Sequence, residues 1–482
     1  MARSEQPGAS RGWAWARHIN SHERFVHDSI DSLGYDWSRI GDPSVQPAFP
    51  LRVYLPQTTD DVARIVREAA ELGLEVTVRA HGHSSNDLVV RGGGTVLLTE
   101  KMDRVLEVDE EGLTATVQPG CQSADVDDVL AARGLGLPVI GDHAHVTTGG
   151  FASVGGISAS SFRHGMFVDI VEALEYVTWE GEVRRCSRAD DPAELNRVLL
   201  SLGRHGVITA LTVRVERVDK YGTLWRNHQT HYRSLDAFLA AAGRVLAEPP
   251  PEATFLRGMW VDAGRLGVGQ FSVYSPVRAT ALNRLVNDCS YRFLYGLGYV
   301  AGRLPAAIDR ALKYVGLLGI LFSPRYATQK NAESFSDKIL DSSVGEPTRY
   351  LVAIARQADM EAVSRRLLDL LRRHRDEHGC FSVLTLYLKG IRSPYLAAGR
   401  PHDDRWVEVL FYVAIKPERM TPELMDRIVE EFDDVCVETG TYRYMHSKTT
   451  KDPVRRKLLD PHTLYEGPPA AVAGEEEATH GT

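Results

Sequence analysis

A turn of small residues directly after an apolar strand is the feature that most limits how this chain can fold. Residues 78–87 read Val-Arg-Ala-His-Gly-His-Ser-Ser-Asn-Asp, which places two histidines among glycine and serine. Glycine lets the main chain approach a bound group closely, and serine adds a hydroxyl donor. The turn therefore predicts a phosphate-binding loop for a nucleotide cofactor, with an imidazole beside it.

Length and composition indicate the class of protein. The chain has 482 residues, which is more than one hydrophobic core usually holds, so we expect two or more domains. Hydrophobic residues make up 43% and charged residues 25%, as in an ordinary globular protein. The formal net charge of −8 and the lack of an aromatic and basic stripe argue against a nucleic-acid partner.

The cysteines and the amino terminus favour a cytoplasmic location. Five cysteines lie far apart without a CxxC pair, which favours reduced thiols over disulfides or a zinc site. The first 18 residues contain no apolar stretch typical of a secretion signal. Residues 281–322 are apolar with five basic residues, which is compatible with a membrane-docking surface or with a helical hairpin over a sheet. We favour the hairpin.

Hydrophobic periodicity predicts alternating helices and strands, an α/β pattern in the first part of the chain. Apolar positions at helical spacing predict a helix over residues 59–72, with Thr59 as its amino-terminal cap and Gly73 at its end. The sequence changes in character near residue 219, where we place a domain boundary. Further elements are predicted as strands at 75–79, 95–98, 114–118, 170–179, 207–215, 385–388 and 406–414, and as helices at 124–132 and 192–202.

A second glycine-rich segment, residues 147–158, leaves three interpretations open. A Rossmann dinucleotide site requires G-x-G-x-x-G in register, which residues 149–156 do not supply. A metal hydrolase would use the two His-x-His pairs at residues 81–83 and 143–145 as ligands. The third interpretation, which we favour, is a flavin site built from two phosphate-binding loops.

These ordered motifs resemble those of FAD-linked oxidases of the vanillyl-alcohol oxidase type. Residues 79–84 match that family's Arg-Gly-x-Gly-His-Ser loop, with Ala80 for its first glycine, and residues 149–165 match its run from Gly-Gly to Phe-Arg-His-Gly. Within the family the chain is most similar to cytokinin dehydrogenases and aldonolactone oxidases. The resemblance implies an α+β fold, with a two-subdomain PCMH-type FAD-binding domain and an α+β cap domain that has an antiparallel sheet. It also implies a covalent bond from His83 to the 8α-methyl of FAD.

The resemblance also implies which residues form the site. Asp142 lies seven residues before Gly149, where cytokinin dehydrogenases carry the aspartate that takes a proton from the substrate. Lys448 ends a segment that loosely resembles decaprenylphosphoryl-ribose oxidases, in which a lysine contacts flavin and substrate. The expected cofactor-binding residues are Arg79, Ala80, His81, Gly82, His83, Ser84, Asp87, Thr147, Gly149, Gly150, Ser153, Gly156, Ile157, Val207 and Ile208.

Other roles stay open for these side chains. Burial would make Asp142 a stronger base, but aspartate is also common in turns. His83 can bind the pyrophosphate by a hydrogen bond instead of a covalent bond. In the second sheet, strand alternation puts Tyr387 and Lys389 on one face. The residues that we consider for the substrate pocket are Tyr387, Lys389, Arg392, Tyr412 and Lys416.

The sequence thus predicts an FAD-dependent oxidoreductase. We expect a small-molecule substrate that loses a hydride from a carbon bearing a hydroxyl group, with O2 or another electron acceptor. Oxidation of a C–N bond, oxidative cyclisation and metal-dependent hydrolysis are the alternatives. The predicted parts are an extension at 1–45, the FAD-binding domain at 46–218, the cap domain at 219–436, a return to the first domain at 437–465 and a disordered tail at 466–482.

Overall fold

The structure, a computed structural model, describes residues 33–34, 36, 48–84, 88–90, 92–143, 146–264, 266–301, 323–333, 348–397, 405–450 and 452–460. Within these ranges the chain forms both helices and sheets, and most paired strands are antiparallel, so the predicted α+β class is confirmed. Asp87 and the predicted tail lie outside the described residues.

The first half of the chain forms a three-stranded sheet, a five-stranded sheet and a two-stranded pair. The three-stranded sheet is parallel, in the order β1-β3-β2, and the five-stranded sheet is antiparallel, in the order β4-β5-β9-β7-β8. The strands are β1 (Arg52–Tyr54), β2 (Val76–Arg79), β3 (Thr95–Leu98), β4 (Val105–Asp109), β5 (Thr114–Val117), β6 (Leu135–Gly136), β7 (Val171–Val177), β8 (Val183–Ser187), β9 (Val207–Arg214) and β10 (Glu216–Arg217). The α-helices are α1 (Thr59–Glu71), α2 (Ser123–Ala131), α3 (Thr148–Val154), α4 (Ser161–His164) and α5 (Pro192–Val198), with 3-10 turns at Thr99–Lys101 and Phe167–Ile170.

The second half builds one eight-stranded antiparallel sheet, in the order β14-β11-β13-β12-β16-β17-β15-β18. Its strands are β11 (Thr223–Tyr232), β12 (Phe255–Asp262), β13 (Gly267–Arg278), β14 (Tyr326–Ala327), β15 (Thr348–Arg356), β16 (Phe381–Arg392), β17 (Arg405–Ile415) and β18 (Tyr442–Arg443). The helices are α6 (Leu235–Ala247), α7 (Ala281–Ala301), α8 (Gln329–Glu333), α9 (Met360–His378), α10 (Pro394–Ala397), α11 (Pro422–Thr439) and α12 (Pro453–Leu458).

Helix α1 shows how local sequence sets an element, and it corrects one prediction. The cap is Thr58, because its hydroxyl accepts from the Asp61 N–H while the Asp61 carboxylate accepts from the Thr58 N–H, at 3.1 and 3.2 Å. This reciprocal pair satisfies two backbone donors that the first turn leaves open. Thr59 is the first helical residue and donates instead to Glu175. Gly73 follows the helix with φ of +64°, as predicted.

Helices cover one face of the eight-stranded sheet. Helix α9 packs on β16 and against α11, and Phe411 of β17 contacts Phe432 of α11. Because side chains alternate along a strand, the residues on either side of Phe411 point to the opposite face. That face is turned toward the glycine-rich turns of the first half.

Helix α7 covers the first part of segment 281–322, for which we predicted a helical hairpin. Tyr291 packs into a cluster with Trp225 and Phe255, whereas Leu282 is 71% exposed. Residues 302–322, the rest of that segment, lie outside the described residues. No helix within the described ranges is both long and apolar enough to cross a membrane.

The chain returns to the first half after α11. Strand β18 pairs with β15 at the edge of the large sheet, and the Gly156 N–H donates to the Tyr444 hydroxyl at 3.0 Å. The residues after α11 therefore contact both the large sheet and the second glycine-rich segment. The domain boundaries given above remain predictions.

Candidate active site

A cavity lies between the glycine-rich turns and the eight-stranded sheet. It contains about 1570 Å³ of space free of protein atoms, its open mouth included. The lining residues of 76–89, 142–157 and 202–208 form what we call the glycine wall. The opposite side, the cap wall, consists of Tyr350, Lys389, Glu408, Leu410, Tyr412, Tyr444 and His446.

The first turn of the glycine wall depends on a close fit between Gly82 and Arg79. Gly82 has φ of +70°, and a Cβ there would overlap the Arg79 guanidinium. Arg79 is buried and donates to the Val89 carbonyl oxygen at 3.3 Å. Burial lowers the pKa of Arg79 to about 10, although the charges of Asp36 and Glu100 oppose that shift. Arg79 therefore supports the turn from behind, and its side chain does not line the cavity.

The second turn is fixed from both sides. Thr147 precedes α3, and the Gly149 N–H donates to the Pro119 carbonyl oxygen at 2.9 Å. Gly156 has φ of +73°, and a Cβ there would lie 2.5 Å from the Phe167 Cβ. Gly156 thus holds the loop against its core, where no other residue fits without displacement. Gly149, Gly150, Phe151 and Ser153 line the cavity.

Two residues that line the cavity each carry a buried oxygen atom that has no hydrogen-bond partner within the described ranges. These atoms are the Ser84 hydroxyl oxygen, in the first turn, and Oδ1 of Asp142. Buried polar atoms of native proteins are nearly always hydrogen-bonded. A ligand that carries hydrogen-bonding groups along its length would satisfy both atoms.

The register of three neighbouring strands brings the polar side chains of the cap wall together. Glu408, Leu410 and Tyr412 alternate along β17 and all line the cavity. Lys389 of β16 lies directly opposite Glu408, and Tyr350 of β15 lies directly opposite Tyr412. Four polar side chains from three strands therefore meet on one face.

Lys389 of the cap wall forms two buried ion pairs, one with Asp142 of the glycine wall and one with Glu408 of its own wall. Its ammonium contacts Oδ2 of Asp142 on the glycine wall and lies 2.5 Å from Oε2 of Glu408. The three residues are 1%, 9% and 2% exposed, respectively. Burial alone would lower the pKa of Lys389, but the two carboxylates together raise it. Burial also raises the pKa of Glu408, with a contribution from the Asp142 charge, although Lys389 opposes the shift.

Histidine and tyrosine rings surround this ion-pair cluster. The Tyr350 hydroxyl and Nε2 of His143 are 3.2 Å apart, and the His143 ring lies 5.3 Å from that of His83. His446 packs against the Tyr350 ring at 5.9 Å. Burial, followed by the charges of His143 and Lys389, lowers the pKa of His446 to about 3, so this imidazole is neutral. Burial raises the pKa of Tyr444, so its phenol stays protonated.

Most of the predicted site residues come together around this cavity. Asp142 lines it together with Ala80, His81, Gly82, His83, Ser84, Thr147, Gly149, Gly150, Ser153, Ile157, Val207 and Ile208. Arg79 and Gly156 lie behind the glycine wall, and Asp87 is not among the described residues. Lys448 is not among the residues that line the cavity, and its ammonium lies 3.4 Å from the Asp426 carboxylate.

Sequence reasoning missed Glu408 and Tyr444. The only signal for Glu408 is a charged residue within the apolar run 406–414, and nothing near Tyr444 indicated a contact with Gly156. Lys389 and Tyr412 were among the candidates and do line the cavity. Among the described residues no group of three or more histidine, cysteine, aspartate or glutamate side chains is placed to hold a metal ion. His145, of the second His-x-His pair, lies outside the described residues.

A comparison with known families matches one segment in the first half of the chain. Residues 50–187 match the family model described as an FAD binding domain. Over this range the chain is similar to FAD-linked oxidases. The matched range contains both turns of the glycine wall and Asp142.

Individual relatives cover more of the chain at moderate identity. An uncharacterized oxidoreductase of the fasciation locus of Rhodococcoides fascians is 32% identical over 200 residues, which is 42% of this chain and 44% of the relative. Cytokinin dehydrogenase 1 of Oryza sativa subsp. japonica is 31% identical over 290 residues, 56% of this chain and 54% of the relative. The glycolate oxidase subunit GlcD of Bacillus subtilis is 26% identical over 233 residues, 48% of this chain and 49% of the relative. The chain spans about half the length of the curated relatives it matches.

Proposed function

We propose that this chain is an FAD-dependent oxidase or dehydrogenase that removes a hydride from a substrate carbon bearing a hydroxyl group. The observation that carries the proposal is the cavity, in which two glycine-rich turns face a buried cluster of ionisable side chains. One wall suits a dinucleotide, and the other suits acid–base chemistry on a small molecule. The parallel and antiparallel sheets of the first half support a two-subdomain PCMH-type domain.

The residues of the glycine wall fit FAD. The turns of residues 80–84 and 147–153 would hold its pyrophosphate and ribityl chain, and the unpaired Ser84 hydroxyl would gain a partner there. His83 lines the cavity with a partly exposed side chain, which supports the proposed covalent bond to the flavin. When bound, FAD supplies the electron acceptor, because its ring takes a hydride from the substrate carbon.

Asp142 is the proposed acceptor for the hydroxyl proton. Its Oδ2 atom is held by Lys389, while its Oδ1 atom is buried and has no hydrogen-bond partner among the described residues. The ion pair fixes the direction of the carboxylate, so that Oδ1 is presented to the substrate. Glu408 holds the other side of the Lys389 ammonium, and the Tyr350 hydroxyl contacts His143, the next residue along the chain from Asp142.

Oxidation of a C–N bond is the second candidate. Its support is the likeness to cytokinin dehydrogenases of rice and Arabidopsis thaliana, at 31–33% identity for three of them. The same Oδ1 atom could then accept a proton from an amine. Oxygen and quinones are the electron acceptors to compare. All five cysteines are free and lie within the described residues, which supports the cytoplasmic location proposed from the sequence.

Anaerobic mixing with a panel of alcohols and their matched amines tests the proposal. We expect an alcohol to bleach the flavin absorbance, and Asp142→Asn to slow that bleaching by roughly 10²-fold or more while flavin content stays the same. Asp376→Asn, at a position that is 70% exposed on α9, removes the same charge far from the cavity and is the control. Bleaching by amines alone would select the second candidate. An unchanged rate in Asp142→Asn would remove Asp142 from the chemistry.

A further inference from the structure

Helix α7 has two faces that carry large apolar side chains, and one of them packs on the eight-stranded sheet. Asn287 and Tyr291 are buried, and Leu294 packs against the cluster that contains Trp225 and Phe255. At about 100° per residue, these three positions of α7 lie within about 60° of one another around the helix axis. This inner face attaches the helix to the sheet.

The other side of α7 carries an apolar row that is exposed to solvent over about three turns. Its members recur at helical spacing and fall within an arc of about 100° around the axis. They are Leu282, Leu285, Val286 and Phe293, which are 71%, 60%, 37% and 70% exposed, respectively. We call these four residues the outer stripe. Apolar side chains scattered singly on a surface are ordinary, but a contiguous row beside polar residues indicates an interaction site.

Two exposed arginines lie on the side of α7 between the inner face and the outer stripe. Arg284 and Arg292 form no ion pair within the described residues. Asp288 is the one acidic residue in the sequence of α7, and its carboxylate accepts from the Asn287 side chain at 2.9 Å. The long stem of an arginine can lie along apolar surface while its guanidinium reaches a polar layer. Both guanidinium groups are therefore available to an anionic partner.

The charge of this region is opposite in sign to that of the whole chain. Residues 281–322 contain five basic and two acidic residues, whereas the chain has a formal net charge of −8. An apolar stripe beside basic side chains is the pattern by which a helix lies in the surface of an anionic bilayer, with its apolar residues below the headgroups. The cytoplasmic face of cell membranes supplies such anionic lipids.

A second copy of the chain fits this surface less well. A symmetric dimer would place each outer stripe against its counterpart, and would bring Arg284 and Arg292 of both copies together. The stripe is also only about 18 Å long and about 10 Å wide. A stable interface between proteins buries about 800 Å² on each partner, which is several times the area of this stripe.

We infer that α7 binds an anionic lipid bilayer through the outer stripe, with Arg284 and Arg292 facing the lipid headgroups. The apolar side chains supply most of the affinity, and the arginines supply the preference for anionic lipid. None of these six residues is among those that line the cavity, so the inference does not depend on the flavin site.

Co-sedimentation of the full chain with vesicles tests the outer stripe. We expect binding to vesicles of phosphatidylcholine mixed with phosphatidylserine, and at least about 10-fold weaker binding by Leu285→Gln/Phe293→Gln. Leu51→Gln/Leu266→Gln is the matched control, because these leucines are 67% and 68% exposed but lie outside α7. The control should bind as tightly as the unmodified chain. Equal binding by the two double variants, or no binding by the unmodified chain, would overturn the inference.

The lipid composition tests the part of the arginines. Arg284→Gln/Arg292→Gln should weaken binding to the mixed vesicles by about 10-fold or more, and should leave binding to phosphatidylcholine alone unchanged. Undiminished binding of this variant to the mixed vesicles would contradict the inference. Analytical ultracentrifugation covers the remaining occupant of the surface. A dimer that dissociates in Leu285→Gln/Phe293→Gln, together with no binding to vesicles, would assign the outer stripe to self-association and overturn the inference.

Discussion

The two walls of the cavity are built in different ways. The glycine wall consists of short runs of neighbouring residues, such as 80–84 and 147–153, whose small side chains expose the main chain. The cap wall takes Tyr350, Lys389, Glu408 and Tyr444 from separate strands and a turn, and only the strand register brings them together. The comparison suggests that a local motif determines the cofactor, whereas long-range pairing determines the substrate chemistry.

Removal of the ammonium that joins the walls should have the largest effect. Lys389→Met would leave two buried carboxylates without a cation, which we expect to lower the free energy of unfolding by about 3–5 kcal/mol. Urea denaturation measures this change. Lys448→Met is the matched control, since its ion pair with a 65% exposed Asp426 should contribute less than about 1 kcal/mol. Equal losses in the two variants would mean that the walls are not joined through Lys389.

Gly156 tests how tightly the glycine wall is packed. Gly156→Ala would combine a positive φ with a Cβ that lies 2.5 Å from the Phe167 Cβ, so we expect a loss of about 2–4 kcal/mol. Gly73→Ala provides the comparison, because Gly73 has φ of +64° but nothing within 4 Å of the added Cβ. Its loss should be about 1 kcal/mol. If thermal unfolding shows the same loss for both, the packing behind the loop is not as described.

Tyr444 is the second connection between the walls. Tyr444→Phe would leave the buried Gly156 N–H without its acceptor, which we expect to cost about 1–3 kcal/mol of stability. Tyr221→Phe, at a residue that is 64% exposed, removes a hydroxyl group without that consequence. Hydrogen exchange should also show faster exchange at Gly156 in the first variant alone. Unchanged exchange there would contradict this contact.

Glu333 supports the segment before Asp142 and should give a smaller, pH-dependent effect. Its carboxyl group accepts from the Ile140 N–H at 3.0 Å, and burial raises its pKa from 4.5 to about 8, although that hydrogen bond opposes the shift. The folded state therefore holds the proton more tightly than the unfolded state, and this contribution to stability is lost as pH rises from 4.5 to about 8.

The slope of stability against pH from this group should reach at most about 1.4 kcal/mol per pH unit. Glu333→Gln should flatten the curve over that window, which urea denaturation at several pH values would show. A curve of the same shape in the variant would mean that Glu333 is ionised in the folded protein.

The difference between the walls also explains what could be predicted from the sequence. The glycine wall consists of residues that are adjacent in the sequence. The order of residues alone therefore predicts that the two turns, His83 and Asp142 belong to one site. The ion pairs of Lys389 could not, because Asp142 lies 247 positions away and Glu408 19 positions away in the sequence. Strand alternation predicts which residues share a face, but not which strand lies opposite. The ion pair of Lys448 could not be predicted for the same reason, because its partner Asp426 is brought there by the packing of α11, and the catalytic role of Lys448 stays a prediction.

The identity of the cofactor and its attachment is the central claim, and the intact mass of the acid-precipitated chain tests it most directly. The account predicts a yellow pellet whose mass exceeds that of the chain by one FAD, and a His83→Ala variant without that added mass. A colourless chain of unmodified mass that binds no flavin before precipitation would contradict the account.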